Sequence, residues 1–322
     1  MSDGFFEEES GPVTYAAPES LPVNLSSGGK LSAPPTLRVT DYTMEDTLKL
    51  STATASTIIQ NLIEVLQARV QDEFDVRLLH ENEFEEILLS LYVNFWSPML
   101  LSYPYPWTEE DLEGLPEDEA EEIRKGVRKL TVAIDLRKVQ IDEIVEKFKE
   151  PIVIDLGSKK IGVRLPRVGD FLLVEEQVKK KFAVQDKRFS DIRFLQEQGE
   201  DLTKRVDSDR LSPYNNYQRE RAVYFLALKQ AILIQFVEVN GERHKLSSFE
   251  EKYQEYRGLP KRFWNVLSSE IEKIKFGIDH NVEMISPITK KKVIRRCLFQ
   301  VLDFISTDGV SDDSGYTVSF GD

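Results

Sequence analysis

The chain has 322 residues, 41% of them hydrophobic and 30% charged, long enough for about two domains that each bury a core. Its formal net charge of −14 argues against a general nucleic-acid binder, which needs a basic surface to neutralise phosphate. Cys297 is the only cysteine, so an intramolecular disulfide and a disulfide-built extracellular framework are both excluded.

Residues 1–20 are rich in Glu, Ser, Gly and Pro, lack periodicity and are expected to be a flexible terminus. They are acidic and carry no apolar run, so they do not read as a secretory signal. Two stretches then repeat one pattern. Residues 23–50 (VNLSSGGKLSAPPTLRVTDYTMEDTLKL) and 153–178 (VIDLGSKKIGVRLPRVGDFLLVEEQV) each hold a short strand, a Gly/Ser/Lys turn, an alternating strand and an acidic helix start. At one constant offset Leu37 meets Ile161, Val39 meets Val163, Met44 meets Val168 and Asp46 meets Asp170. Period-2 alternation puts each Leu/Ile–Val pair on one face of a half-buried hairpin. The acidic residues suit the positive end of the helix dipole.

After the first hairpin, apolar spacing predicts helices near 54–70 (Ile58, Leu62, Leu66, Val70) and 81–95 (Phe84, Ile87, Leu88, Leu91). A Pro- and acid-rich insert, 102–122, is expected to be flexible and solvated. A clean alternating strand with Leu130, Val132, Ile134 and Leu136 follows.

After the second hairpin the pattern predicts a helix at 178–182, a polar stretch to Arg219, and an apolar helix over 220–237. That last segment is too short and too interrupted by Lys229, Gln230 and Gln235 for a bilayer span. Asn240-Gly241 reads as a turn, Ser247-x-x-Glu250 as a capping box, and Pro260 as a helix start. Residues 277–293, GIDHNVEMISPITKKKV, form a hairpin with Val282 and Met284 on one face, and LFQVLDFIS reads as a short apolar helix. The class is α+β. Its organisation is a first unit over 21–150, a similar second unit over 151–306, and a flexible acidic tail over 307–322.

No catalytic set converges along the chain. His280 near Cys297 suggests thiol activation, but a lone Cys in an alternating run more often packs as a small hydrophobe. Lys179-Lys180-Lys181 and Lys290-Lys291-Lys292 with Arg295 and Arg296 form a solvated face, a protein-docking patch or a nucleic-acid contact. Ser26-Ser27-Gly28-Gly29-Lys30 lacks the P-loop spacing and reads as a turn. Acidic runs such as 117–122 lack a calcium-loop pattern. Trp96, Tyr103, Tyr105 and Trp107 cluster beside prolines and are candidate partner-docking residues, since aromatics dominate interface energetics. Packing over the chain's own core is the alternative.

In order along the chain, LPVNLSSGG (21–29), YTMED (42–46), PRVGD (166–170) and GIDHNVEMISPIT (277–289) resemble the pattern of baseplate hub proteins of contractile-tailed phages of the T-even type. The resemblance covers about residues 21–306. In that family the knuckle often carries Cys-Pro-x-Cys; Ser286 and Thr289 stand there in this chain, and hydroxyls are poor zinc donors. The resemblance therefore implies a frame kept without its metal, and no cofactor. It implies a non-enzymatic structural protein of the tail baseplate or its assembly, in the virion or in host cytoplasm during assembly. Its expected partners are other tail proteins in a multi-subunit complex, with no nucleic acid and no membrane. The alternatives are an assembly chaperone that leaves before the virion is complete, and an uncharacterised hydrolase or transferase.

Overall fold

Strands β1 (Leu21–Asn24) and β2 (Thr36–Val39) pair antiparallel in a computed structural model that describes residues 20–54, 57–95 and 100–299. Val23, Leu37 and Val39 are buried, as alternation requires. Helix α1 (Met44–Ser51) follows at once. Thr43 caps it in a reciprocal box with Asp46, whose carboxylate also meets Arg69 at 3.1 Å. Helix α2 (Ile58–Arg69) buries Ile58, Ile59, Leu62, Ile63, Val65 and Leu66. Its end returns Val70 to Val39, with the Thr40 N–H donating to Arg69 O at 3.0 Å and the Gln71 N–H to Arg38 O at 2.9 Å.

Helix α3 (Glu81–Phe95) then crosses the first core. Strands β3 (Leu100–Pro104) and β4 (Thr131–Asp135) pair antiparallel, and between them lie α4 (Glu109–Leu112) and α5 (Glu117–Arg124). The insert expected to be a solvated loop is therefore folded. Leu112, Ala120 and Ile123 bury a small core against Trp107, Leu115, Leu130 and Ile288, and Thr108 and Asp111 cap α4. Its high acid content hid a few apolar residues with somewhere to go. Strand β5 (Ile141–Asp142) closes the first half.

The second half opens with β6 (Ile152–Asp155) and β7 (Lys160–Val163), followed by α6 (Val168–Arg188), which begins at the residue the repeat predicts. Helices α7 (Ser190–Glu197), α8 (Leu202–Arg205) and α9 (Ser208–Ala231) account for the polar stretch before Arg219 and run on past it. The buried rings of Phe182, Phe189, Tyr214 and Tyr217 lie edge-on or tilted against one another and hold α9 against the end of α6. The apolar run expected as one helix over 220–237 splits. Helix α9 stops at Ala231, and β8 (Ile234–Val239) pairs with β7. Strand β9 (Glu242–Lys245) completes a four-stranded antiparallel sheet in the order β6-β7-β8-β9. The β8–β9 turn is Asn240-Gly241, both at positive φ, the geometry that an Asn-Gly hairpin turn adopts.

Helix α10 (Phe249–Arg257) is capped by Ser248 with Glu251, one residue later than the spacing suggested, and α11 (Lys261–Glu272) starts after Pro260. Strand β10 (Gly277–Ile278) pairs with β5 across the two halves. Strands β11 (Asn281–Ile285) and β12 (Lys292–Arg296) form the final hairpin.

The whole is α+β, with small antiparallel sheets packed on helices. Two large cores result. One gathers Leu37, Leu62, Leu66, Phe84, Leu88 and Leu136; the other gathers Ile161, Val163, Val178, Phe182, Tyr214 and Phe263. The final hairpin, grouped by sequence with the second unit, buries Val282, Met284 and Cys297 in the first core. Neither the 1–19 terminus, the 307–322 tail nor the body of LFQVLDFIS lies within the described residues. Among the described residues no helix is long and apolar enough to cross a membrane.

Candidate functional site

The first turn of α3 is where the two halves meet. Its acidic residues Glu81 and Glu83 stand at the positive end of the helix dipole. Glu83 accepts the His80 N–H at 2.8 Å, and Glu86 accepts the Ser26 N–H at 2.8 Å together with the Ser26 hydroxyl. From the second half, the Val168 N–H donates to Leu79 O at 3.0 Å, and His80 and Arg167 form a single antiparallel bridge. From the third direction, Asn82 donates its side-chain amide to Phe276 O at 2.6 Å, and the His80 ring lies 4.9 Å from that of Phe276. Gly277, at φ +92°, sits so close that a Cβ there would lie 2.7 Å from Asn82 Cβ.

Three of the four recognisable segments thus converge on residues 79–86: the 21–29 turn through Ser26, PRVGD through Arg167 and Val168, and GIDHN through Gly277. The fourth, YTMED, braces its own unit through Asp46 and Arg69. Beside PRVGD, Arg164 grips Asp170 through two hydrogen bonds of 2.7 and 2.5 Å, both side chains being nearly buried. Asp170 also accepts the Arg167 N–H at 2.8 Å, and Glu150 accepts the Leu165 N–H at 2.7 Å.

Burial dominates the electrostatics of this junction. It pushes the Glu81 and Glu86 carboxyls up to about 7 and that of Glu85 up to about 8, and it raises Glu83 as well. Burial first, and then the Arg164 and Arg167 guanidinium groups, holds His80 down to about 3, so its ring stays neutral. His80 Nδ1 accepts the Asn82 N–H at 3.2 Å. The arrangement joins the two halves through several of its polar groups, while His80 Nε2, Glu83 Oε1 and the Ser27 hydroxyl are buried there without a hydrogen-bond partner.

Cys297 packs as a small hydrophobe, the reading favoured by its alternating run, and not as a thiol–imidazole pair. His280 Nδ1 lies 2.9 Å from the Cys297 carbonyl oxygen rather than at its sulfur, and burial pushes the thiol up to about 11. Among the described residues no group of three or more His, Cys, Asp or Glu could hold a metal ion.

The turn of the final hairpin is held by its own polar groups. Ser286 is fully buried, and its hydroxyl accepts the N–H groups of Ile288 at 3.3 Å and Thr289 at 3.1 Å. Its N–H donates to Lys291 O and its carbonyl accepts the Lys290 N–H, with Lys290 at φ +59°. The buried hydroxyl organises the turn.

The proposed docking aromatics are placed as follows. Trp96 lies outside the described residues. Tyr105 is buried and donates its hydroxyl to Asp111 at 2.9 Å, so it offers no surface to a partner. Asp111 in turn holds Arg295 of β12 at 2.9 Å. Tyr103 donates to Leu298 O at 3.0 Å with its ring 5.8 Å from Phe299, and Trp107 is partly buried between the insert and the first core. These aromatics tie the insert and β3 to the final hairpin. A buried phenol needs a partner for its O–H, and Asp111 supplies one within the chain.

The exposed surface lies elsewhere. On the outward face of the final hairpin Ile285 and Ile294 are 59% and 65% exposed, beside Lys292 and Arg296. The signal was present: with Val282 and Met284 inward, period 2 turns Ile285 outward, and the strand pairing turns Ile294 the same way. A second surface feature is an open groove of about 760 Å³ with Ile63, Phe74 and Leu172 in it and Glu64, Asp72, Glu73 and Asp75 around them. In comparisons with known proteins, no family model, no curated protein and no solved structure matches this chain.

Proposed function

We propose that this chain is a non-enzymatic structural or assembly protein of a contractile-tail baseplate, acting through contacts with other tail proteins. The observation that carries this reading is the convergence of three motif segments on residues 79–86. Ser26, Glu83, Glu86 and Asp170 bond there to one another or to backbone, and the backbone bridge between His80 and Arg167 joins the halves, as a scaffold requires. The resemblance in order and spacing of LPVNLSSGG, YTMED, PRVGD and GIDHNVEMISPIT supplies the tail-baseplate part of the proposal. The apolar, basic outer face of the β11–β12 hairpin supplies a surface suited to protein contact.

Mass spectrometry of purified tails, together with deletion of the coding sequence in the phage that carries it, tests the proposal. The expected result is the chain in the tail and failure of baseplate assembly without it. A chain required for assembly yet missing from the particle is a chaperone. Normal particles that form without it and never contain it overturn the reading.

A further inference from the structure

The chain carries two apolar surfaces of opposite charge. The first is the groove between α2, the 72–77 segment and α6, floored by Ile63, Phe74 and Leu172. Gln67 fixes one wall: its side-chain amide donates to Phe74 O at 2.9 Å and its side-chain carbonyl accepts the Val76 N–H at 2.9 Å. Around the floor stand four carboxylates. Glu64 is paired with Lys49 and Asp75 with Arg77. Asp72 accepts the Arg38 N–H at 2.5 Å, and neither it nor the exposed Glu73 meets a cation among the described residues. The second surface is the outer face of the β11–β12 hairpin. Alternation places Ile285 and Ile294 there with Lys292 and Arg296, and Ile285 stands directly opposite Lys292. Lys292 meets Glu283 at 2.9 Å, while Lys291 and Arg296, both exposed, meet no carboxylate among the described residues.

We propose that the groove of one copy receives the β11–β12 hairpin of a second copy, so that the chain assembles head to tail. Charge favours that occupant. At a formal net charge of −14 most of one copy's surface repels another, whereas the hairpin offers exposed apolar side chains together with unpaired cations. The other lysine run is spent within its own fold: Lys179 and Lys180 pair with Glu175 and Glu176, and Lys181 lies over the Tyr224 ring. Form favours it too. A two-stranded ribbon presents a narrow ridge, with Ile285 and Ile294 on strands about 4.8 Å apart, and a groove of about 760 Å³ has room for several side chains. The contact takes the two isoleucines out of water and brings the hairpin's cations to the carboxylates that lack them. Groove and hairpin are different surfaces of one chain, so the contact is heterologous. It leaves a free groove at one end and a free hairpin at the other, and copies add until a ring closes or a filament grows.

Sedimentation velocity on the native full chain and on two variants tests this. The native chain is expected to at least double in weight-average mass between roughly 10 and 500 µM. Glu64→Lys/Glu73→Lys reverses charge at the groove, and Ile294→Thr/Arg296→Glu removes the ridge and a cation from the hairpin. Each variant alone is expected to sediment as a single chain throughout. All four side chains are exposed, so both variants are expected to melt as the native chain does. An equimolar mixture of the two keeps one intact hairpin and one intact groove, and is expected to form one-to-one pairs and nothing larger. A native chain that stays single overturns the proposal. So do variants that associate as the native chain does, and so does a mixture that stays single. Self-assembly goes beyond a role in a phage tail, and the purified chain alone tests it, so its failure leaves that role untouched.

Discussion

Thr40 and Arg164 occupy the same position in two duplicated hairpins. Each donates its N–H across a strand pair to the residue that ends a helical return, Thr40 to Arg69 O at 3.0 Å and Arg164 to Leu233 O at 2.9 Å. Val39 opposite Val70 and Val163 opposite Ile234 continue the correspondence. Each unit also needs a cation for its helix-starting carboxylate. Arg69, the last residue of α2, serves Asp46; Arg164, just after β7, serves Asp170. The backbone plan is shared and the charge partner has moved.

Breaking that second pair is expected to be expensive. Arg164→Met leaves the Asp170 carboxylate nearly buried without its partner and should cost about 3–5 kcal/mol. Arg164→Lys keeps a charge but loses the two-pronged geometry, and should fall between the variant and the native chain. Urea denaturation of the three proteins checks the order; a silent Arg164→Met would show that the pair does not hold the junction.

Stability is expected to fall as pH rises between about 6.5 and 8. Glu81 and Glu86 are raised to about 7 and Glu85 to about 8 in the fold, above the ordinary 4.5. The folded chain therefore holds more protons than the unfolded chain in this window, and loses that advantage as they leave. His80, lowered from 6.5 to about 3, acts in the opposite sense, but its effect is confined to pH values below 6.5. Glu86→Gln should flatten the slope, measured as denaturation midpoints at several pH values.

Gly277→Ala should destabilise by about 1–3 kcal/mol, since it puts a side chain at φ +92° and within 2.7 Å of Asn82 Cβ. Asn82→Gly alone removes the Asn82–Phe276 hydrogen bond, and with its cost subtracted the double variant should lose less melting temperature than the sum of the two single changes, because the clash is gone while the backbone strain stays.

Ser286→Ala strips the acceptor from the Ile288 and Thr289 N–H groups inside the final turn. A loss of about 1–3 kcal/mol is expected, with faster amide exchange at those two residues. Placing two sulfurs in this turn through Ser286→Cys/Thr289→Cys supplies two of the four ligands a structural zinc needs. Equilibrium dialysis should therefore find no stoichiometric zinc.

Cys297 is fully buried with its thiol pushed up to about 11, so it should resist a disulfide reagent in the native chain and react on unfolding. Prompt native labelling would contradict this packing.

Much of this architecture was legible along the chain because its causes are local. Alternation at Leu37 and Val39, acidic helix starts at Asp46 and Asp170, and the face of α3 carrying Phe84, Ile87, Leu88 and Leu91 all follow from side-chain period and capping. Where the reading failed, a distant partner decided. Residues 232–237 look helical by apolarity, yet Ile234 and Val237 become strand because β7 offers them a ladder. The acidic insert folds because Ile288, far away in sequence, closes its small core.

Period, turn chemistry and charge were enough to indicate an α+β chain built from a repeated hairpin-and-helix plan. They could not say that three separate segments meet at residues 79–86, that the final hairpin belongs to the first core, or that Tyr105 points inward while Ile294 points out. Those facts depend on which surfaces bury one another across long stretches of chain, and a one-dimensional pattern records what a residue prefers but not what it will find opposite.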